Sequence, residues 1–192
     1  MTPVVLILYH SSHGSTQALA DAIAAGVSAA GAEPRLRVAP GSRATRDIEV
    51  NLEDLEQCHG LALGSPTRFG HMSHHLSAWF EQTSTHWLRG TMIDKPAAVF
   101  TSTASLHGGQ ESTLLSMAIP LLHHGMVLVG IPYSEPGLQQ TTAGGTPYGA
   151  SHHASAQAKA ASDLSATERE LAVALGTRLA RFAQQYQQEQ SQ

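Results

Sequence analysis

The sequence predicts an α/β fold: a parallel sheet with helices on both faces. Short apolar runs rich in β-branched residues recur along the chain, and segments with helical spacing of apolar residues lie between them. No internal repeat or compositional break divides the 192 residues, a length that one core can fill.

The first run, Val4 to Tyr9, reads as a buried strand. Leu19, Ile23 and Val27 then repeat every four residues, with small Ala20 and Ala24 beside them, and Gly31 is placed to stop that helix. Pro34 to Val38 alternates in character and suits a strand nearer an edge. A short second helix falls near Leu52 to Leu55, before the strand Gly60 to Gly64. Met72, Leu76, Trp79 and Phe80 keep helical spacing, and Ala97 to Thr101 is the next strand. Leu114, Leu115, Ala118 and Leu122 predict a helix that Pro120 should bend or shorten, ahead of a last strand at Met126 to Ile131. The stretch from Gly137 to Ser165 is rich in Gly, Ala and Ser and predicts an excursion from a single domain. Ser165 and Glu168 form a capping box, followed by Leu171, Leu175, Leu179 and Phe182 on one helix face.

Composition narrows the function classes. A net charge of −4 and a pI near 6.3 leave no basic footprint for nucleic acid. The 42% hydrophobic content suits a globular chain, and no run reaches membrane-spanning length, so no integral membrane contact is expected. Val4 to Leu8 is too short for a signal peptide and lacks its basic start. Cys58 is the single cysteine, which excludes an internal disulfide framework and suits the reducing cytoplasm.

In a five-stranded doubly wound sheet of order 2-1-3-4-5, strands one, three and four are neighbours, and ligands bind beyond their carboxyl ends. The loops at those ends are SSHGST (11–16), SPTRFGHM (65–72) and STASLHGGQE (102–111), all rich in hydroxyls or glycine. From His10 to Thr16 there is no Lys or Arg. A helix beginning near Ser15 offers free N–H groups and the positive end of its dipole. Hydroxyls of Ser11, Ser15 and Thr16 add donors, and Gly14 lets backbone approach closely. Alone, this loop fits either a serine-rich helix cap or an anion site without fixed charge; the other two loops favour the anion site.

The hydroxyl-rich loop resembles the phosphate loop of flavodoxin-like proteins, which bind flavin mononucleotide (FMN). GSPTRFGHMS, FTSTASLHGGQE, LLHHGM and GGTPYGAS are similar, in order, to signature segments of the WrbA-type NAD(P)H:quinone oxidoreductases. The resemblance spans most of residues 4 to 153 and implies the flavodoxin-like order 2-1-3-4-5. This chain is shorter between Val38 and Asn51 than many members, which bears on the tetramer surface, and its Ser15 and Thr16 are closer to ordinary flavodoxins.

By that resemblance Ser11, Ser12, His13, Gly14, Ser15 and Thr16 hold the flavin phosphate. Pro66, Thr67, Arg68, Phe69 and Gly70 meet the isoalloxazine, with Arg68 stabilising negative charge on the reduced ring; a surface arginine in a turn is its plainer role. Ser102, Thr103, Ala104, Ser105, Leu106, His107, Gly108 and Gly109 wrap the ring and ribityl chain. His124 corresponds to a flavin-side histidine contributed from a neighbouring subunit, and His123 is structural. Trp87 corresponds to an aromatic lining the substrate cavity, or is a core or interface tryptophan; His13 and Tyr133 complete the substrate contacts. The resemblance implies bound FMN, NAD(P)H as transient donor, a quinone as acceptor and a homotetramer. Two electrons then pass by ping-pong exchange, with hydride delivered to flavin N5.

Other readings carry less. On a helix His71 and His75 would share a face beside His74, but no H-E-x-x-H pattern accompanies them, and a solvated helix face fits better than a metal site. LHGGQ resembles an oxyanion loop, but the G-x-S-x-G elbow is absent. Neither a P-loop lysine nor a G-x-G-x-x-G fingerprint occurs. The alternative from another class is a flavodoxin-like electron carrier serving a protein partner, and a third is an FMN-binding scaffold with little turnover. Carriers rely on a markedly acidic docking face, whereas this chain is only mildly acidic.

Overall fold

β1 (Val4–Tyr9) explains the architecture, because its side chains divide between two cores. Val5, Ile7 and Tyr9 enter one apolar cluster, while Leu6 and Leu8 enter the other, on the opposite face of the sheet. A strand buried on both faces must be apolar throughout, and each such side chain contributes roughly 1.5–3 kcal/mol on burial. In the computed structural model, residues 2–43, 46–154 and 162–190 are described.

β1 pairs in parallel with β2 (Glu33–Val38) and β3 (Gly60–Pro66), and β3 pairs with β4 (Pro96–Thr103). The sheet order is β2-β1-β3-β4-β5, with β2 at one edge as its mixed composition predicts. α1 (Ser15–Ala29) and α7 (Ala166–Gln190) cover one face, with Leu19, Ile23, Val27, Leu171, Leu175 and Leu179 buried. On the other face lie α2 (Glu53–Gln57), α3 (His74–Glu81) and α5 (Gln110–His123). α4 (Ser84–Leu88) follows α3 and has no counterpart in the sequence reading, since five residues are too few to show a period. Pro120 does not break α5, which continues to His123.

The fifth sheet position differs from the expected single strand at Met126 to Ile131. β5 (Val127–Leu128) pairs with Pro96 and Ala97, and β6 (Ala150–His153) takes over beside Phe100 to Thr103. The chain leaves β4 because the Ile131 N–H donates to the Pro147 carbonyl at 3.0 Å and Pro132 has no N–H to offer. α6 (Gly137–Gln140) lies in the intervening segment. Thus part of the stretch expected as an excursion returns to the sheet; its residues 155–161 lie outside the described residues. The capping box forms as the sequence predicts: the Ser165 N–H donates to Glu168 Oε2 at 2.8 Å, and the Glu168 N–H to Ser165 Oγ at 3.2 Å.

α1 and α7 cross at Gly26 and Gly176. A Cβ on Gly176 would lie 2.1 Å from the Ile23 carbonyl oxygen, and one on Gly26 would lie 2.1 Å from that of Val173. Gly176→Ala gains helix propensity of about 1 kcal/mol but forces the helices apart. The expected net loss is about 2 kcal/mol by urea denaturation. A variant as stable as the parent would contradict the close crossing.

Candidate functional site

The carboxyl ends of β1, β3 and β4 open into a cavity of about 410 Å³. That size falls within the roughly 300–1,000 Å³ of small-molecule sites. All three loops singled out in the sequence line it. The first supplies Ser11, Ser12, His13, Ser15 and Thr16; the second, Pro66, Thr67 and Arg68; the third, Ser102, Thr103, Ala104, Ser105 and Gly108. Among the described residues no Asp or Glu lines it, and Arg68 is the one Lys or Arg that does.

The floor is built by the start of α1. Gly14 adopts φ +91° at the N-cap, and among the described residues no side chain caps the helix. Its own N–H donates to Ser11 Oγ at 3.1 Å. The first-turn N–H groups of α1 are thereby left for an anion, as in other helix N-terminal sites. Thr16 Oγ1 and Ser102 Oγ lie 3.2 Å apart and tie the first loop to the third.

The second loop is fixed to both neighbours. The Thr67 N–H donates to the Ser102 carbonyl at 2.9 Å, and the Thr67 and Thr113 hydroxyls are 3.0 Å apart. Arg68 donates to the Thr67 carbonyl at 2.9 Å and to Ser12 Oγ at 3.3 Å, which holds the guanidinium across the mouth. Phe69 has φ +53° and a fully exposed ring. A non-glycine residue in that conformation stores strain, a feature concentrated at ligand sites. Gly70 and Gly109 pack backbone to backbone: a Cβ on Gly109 would sit 2.8 Å from Gly70 Cα. Leu106 and His107 are exposed on the third loop and, like Gly14, Phe69, Gly70 and Gly109, do not line the cavity.

Trp87 and His124 lie elsewhere in the protomer. They line a second cavity of about 430 Å³ with Phe80, Ile119 and Pro120, between α3, α4 and α5. The Trp87 indole N–H donates to the His123 carbonyl at 2.8 Å, and His124 Nε2 is 3.0 Å from Thr83 Oγ1. Burial, then the neighbouring His86 and His123, lower the His124 pKa. Tyr133 is exposed and lines neither cavity.

Two neighbours of the site escaped sequence reasoning. Ala154 lines the first cavity because β6 delivers it there, and its N–H donates to the Thr103 carbonyl at 2.8 Å. His10 is buried behind the first loop, its ring 4.5 Å from that of His75, which is 4.0 Å from that of His74. His71 precedes α3, so it does not share a helix face with His75 as expected. Among the described residues no cluster of His, Cys, Asp and Glu is arranged to hold a metal ion.

Burial, then the charges of His75, Arg68 and His74, push the His10 pKa down to about 4. The unfolded chain takes up that proton near pH 6.5, the folded chain only near 4. Stability therefore falls as the pH drops through this window, by about 3 kcal/mol for this group. His10→Gln should flatten this limb in denaturant titrations at successive pH values. An unchanged slope would contradict the assignment.

Sheet order and the three-loop cleft define a doubly wound α/β protein of the flavodoxin-like class. The fold is shared with the crystal structure of the flavodoxin, WrbA-like protein from Agrobacterium tumefaciens, at TM-score 0.69 and 24% identity, covering 96% of this chain and 99% of that one. A two-electron reduced flavodoxin of Megasphaera elsdenii matches with TM-score 0.61 and 18% identity over 92% of this chain and 98% of its own. No family model matches the chain. An NAD(P)H dehydrogenase (quinone) of Gluconacetobacter diazotrophicus is 39% identical over 194 residues, covering 93% of this chain and 96% of the relative. That of Chromohalobacter salexigens is 42% identical over 162 residues, 76% of this chain and 81% of its own. The chain belongs to the NAD(P)H dehydrogenase (quinone) family.

Proposed function

We propose that the chain is an FMN-dependent NAD(P)H:quinone oxidoreductase that reduces quinones to hydroquinones by two electrons. The observation that carries this reading is the polarity of the first cavity. One end offers the uncapped first turn of α1 and hydroxyls, the other the tethered Arg68, with no carboxylate between them among the described residues. That donor set fits a phosphomonoester joined to a ring that gains negative charge.

Bound FMN supplies the two-electron chemistry between nicotinamide and quinone. Ser11, Ser12, Ser15, Thr16 and the helix N–H groups hold its phosphate. Thr67 and Arg68, with Ser102 to Ser105 and Gly108, line the walls about its ring, and the backbone packing of Gly70 on Gly109 holds those two loops together. The fixed cation of Arg68 stabilises negative charge developing in the cavity, a preorganised contribution. His13 stands exposed at the mouth, open to the incoming substrate.

The proposal includes a homotetramer. Leu115, Ile119 and Leu122 form an exposed apolar stripe on α5, a surface that association would bury. In such an assembly Trp87, His124 and Tyr133 serve as contacts supplied between protomers. No helix among the described residues is long and apolar enough to cross a membrane. Buried, unpaired Cys58 fits the cytoplasm, where we place the protein.

Steady-state NADH oxidation with benzoquinone tests the function. The expected result is turnover above that of free FMN, with parallel double-reciprocal lines. Arg68→Ala should retain stoichiometric FMN but lose on the order of 10²-fold in kcat/KM. Turnover no faster than free flavin would defeat the proposal.

A further inference from the structure

We propose that a groove on the α7 face of the molecule, remote in sequence from the three loops, binds a small hydroxylated oxyanion, a phosphate ester or a hydroxycarboxylate, through Arg178 and Arg181. The groove has a volume of about 280 Å³, and Ser134, Glu135 and Thr177 also line it.

The two arginines lie three residues apart on α7, so they project from one helix face. Neither makes an ion pair among the described residues. Arg178 is held in place from one side, its guanidinium carbon 5.3 Å from the centroid of the Phe182 ring. Its Nε is sealed from water and has no hydrogen-bond partner. Because water cannot reach that Nε, a ligand in the groove can meet only the Nη groups of this half-buried guanidinium. Planar arginine forks suit ligands with two acceptor oxygens.

The rest of the lining narrows the ligand. Thr177 Oγ1 already donates to the Gly26 carbonyl at 3.2 Å, so its lone pairs can only accept from a ligand. Glu135 shares the groove yet forms no ion pair with either arginine. A bare anion would meet the Glu135 carboxylate unfavourably. A ligand that carries a hydroxyl as well as the oxyanion donates to Glu135 and accepts from the arginines. Both sources share that chemistry.

The inference does not depend on the flavin reading, and its test reads the arginines directly. Glycerol 3-phosphate and malate are titrated into the full chain at constant ionic strength, with arginine Nε–H resonances followed by NMR and affinity by calorimetry. The Arg178→Gln and Arg181→Gln variants assign the signals. The expected result is saturable movement of the Arg178 and Arg181 resonances by at least one probe. Affinity should fall tenfold or more in each variant, while binding of FMN is unchanged. The probe that binds identifies the oxyanion as phosphate or carboxylate. The proposal is overturned if neither probe saturates, or if binding persists in both variants with the arginine signals unmoved.

Discussion

Glu168→Gln is expected to destabilise the fold by about 3 kcal/mol, a cost typical of breaking a buried charged network. The Glu168 carboxylate is buried and surrounded by donors. The N–H groups of Gly144, His153 and Ser165 reach it at 2.8, 2.7 and 2.8 Å, and His152 Nδ1 at 3.0 Å. A glutamine places a donor among donors and strands at least one of them. The same contacts join the start of α7 to β6, so the variant also loosens the strand that brings Ala154 to the cleft. Burial raises the Glu168 pKa, but the hydrogen bonds from His152, His153 and Ser165 outweigh it and hold the group at about 2. Its unfolded value is near 4.5, so the contribution is complete above that pH and is lost as the pH falls through about 2. The gap between parent and Glu168→Gln should close over that interval in denaturant titrations. A neutral-pH difference below about 1 kcal/mol would contradict the network.

Gly109→Ala is expected to weaken FMN binding on the order of 100-fold while the chain still folds. Gly109 sits at φ +97°, where a side chain costs of order 1–3 kcal/mol. Its new Cβ would also press on Gly70 Cα at 2.8 Å and on Ser112 Oγ at 3.0 Å. Backbone cannot rotate away as a side chain can, so the second and third loops must separate at the ring end of the cleft. Gly108→Ala is the comparison: its closest clash is with the Ser105 hydroxyl, which can turn aside, and its φ is not positive. Fluorescence titration of both apoproteins with FMN reads the difference. Equal affinities for Gly109→Ala and the parent would refute the glycine contact.

Much of the frame was legible because its residues obey one rule each. β1 and the leading residues of β3 and β4 are apolar since both faces are covered, and the Ser165–Glu168 box marks where α7 begins. The three loops were legible because glycines and hydroxyls gather beyond those strands. β6 was not, since Ser151 and His152 look unsuited to a buried strand. They are accommodated by partners distant in sequence: Ser151 donates to Gln110 at 2.5 Å, and His152 meets Glu168. No local pattern encodes such pairings. Family resemblance implies a flavin-side His124 from a neighbouring subunit and a Trp87 in the substrate cavity; within one protomer both line a separate cavity. His10 was overlooked for a similar reason, as its stack with His75 joins residues far apart in the chain.

The function proposed for the three-loop cleft is to bind FMN and pass electron pairs from NADH to a quinone. Its most direct test is an anaerobic titration of FMN-loaded protein with NADH and then benzoquinone, followed by flavin absorbance. The predicted result is prompt bleaching by one equivalent of NADH, without a radical spectrum, and full recovery with one equivalent of quinone. A bound flavin that NADH leaves coloured, but that dithionite converts to a long-lived radical, would contradict the account and indicate a single-electron carrier.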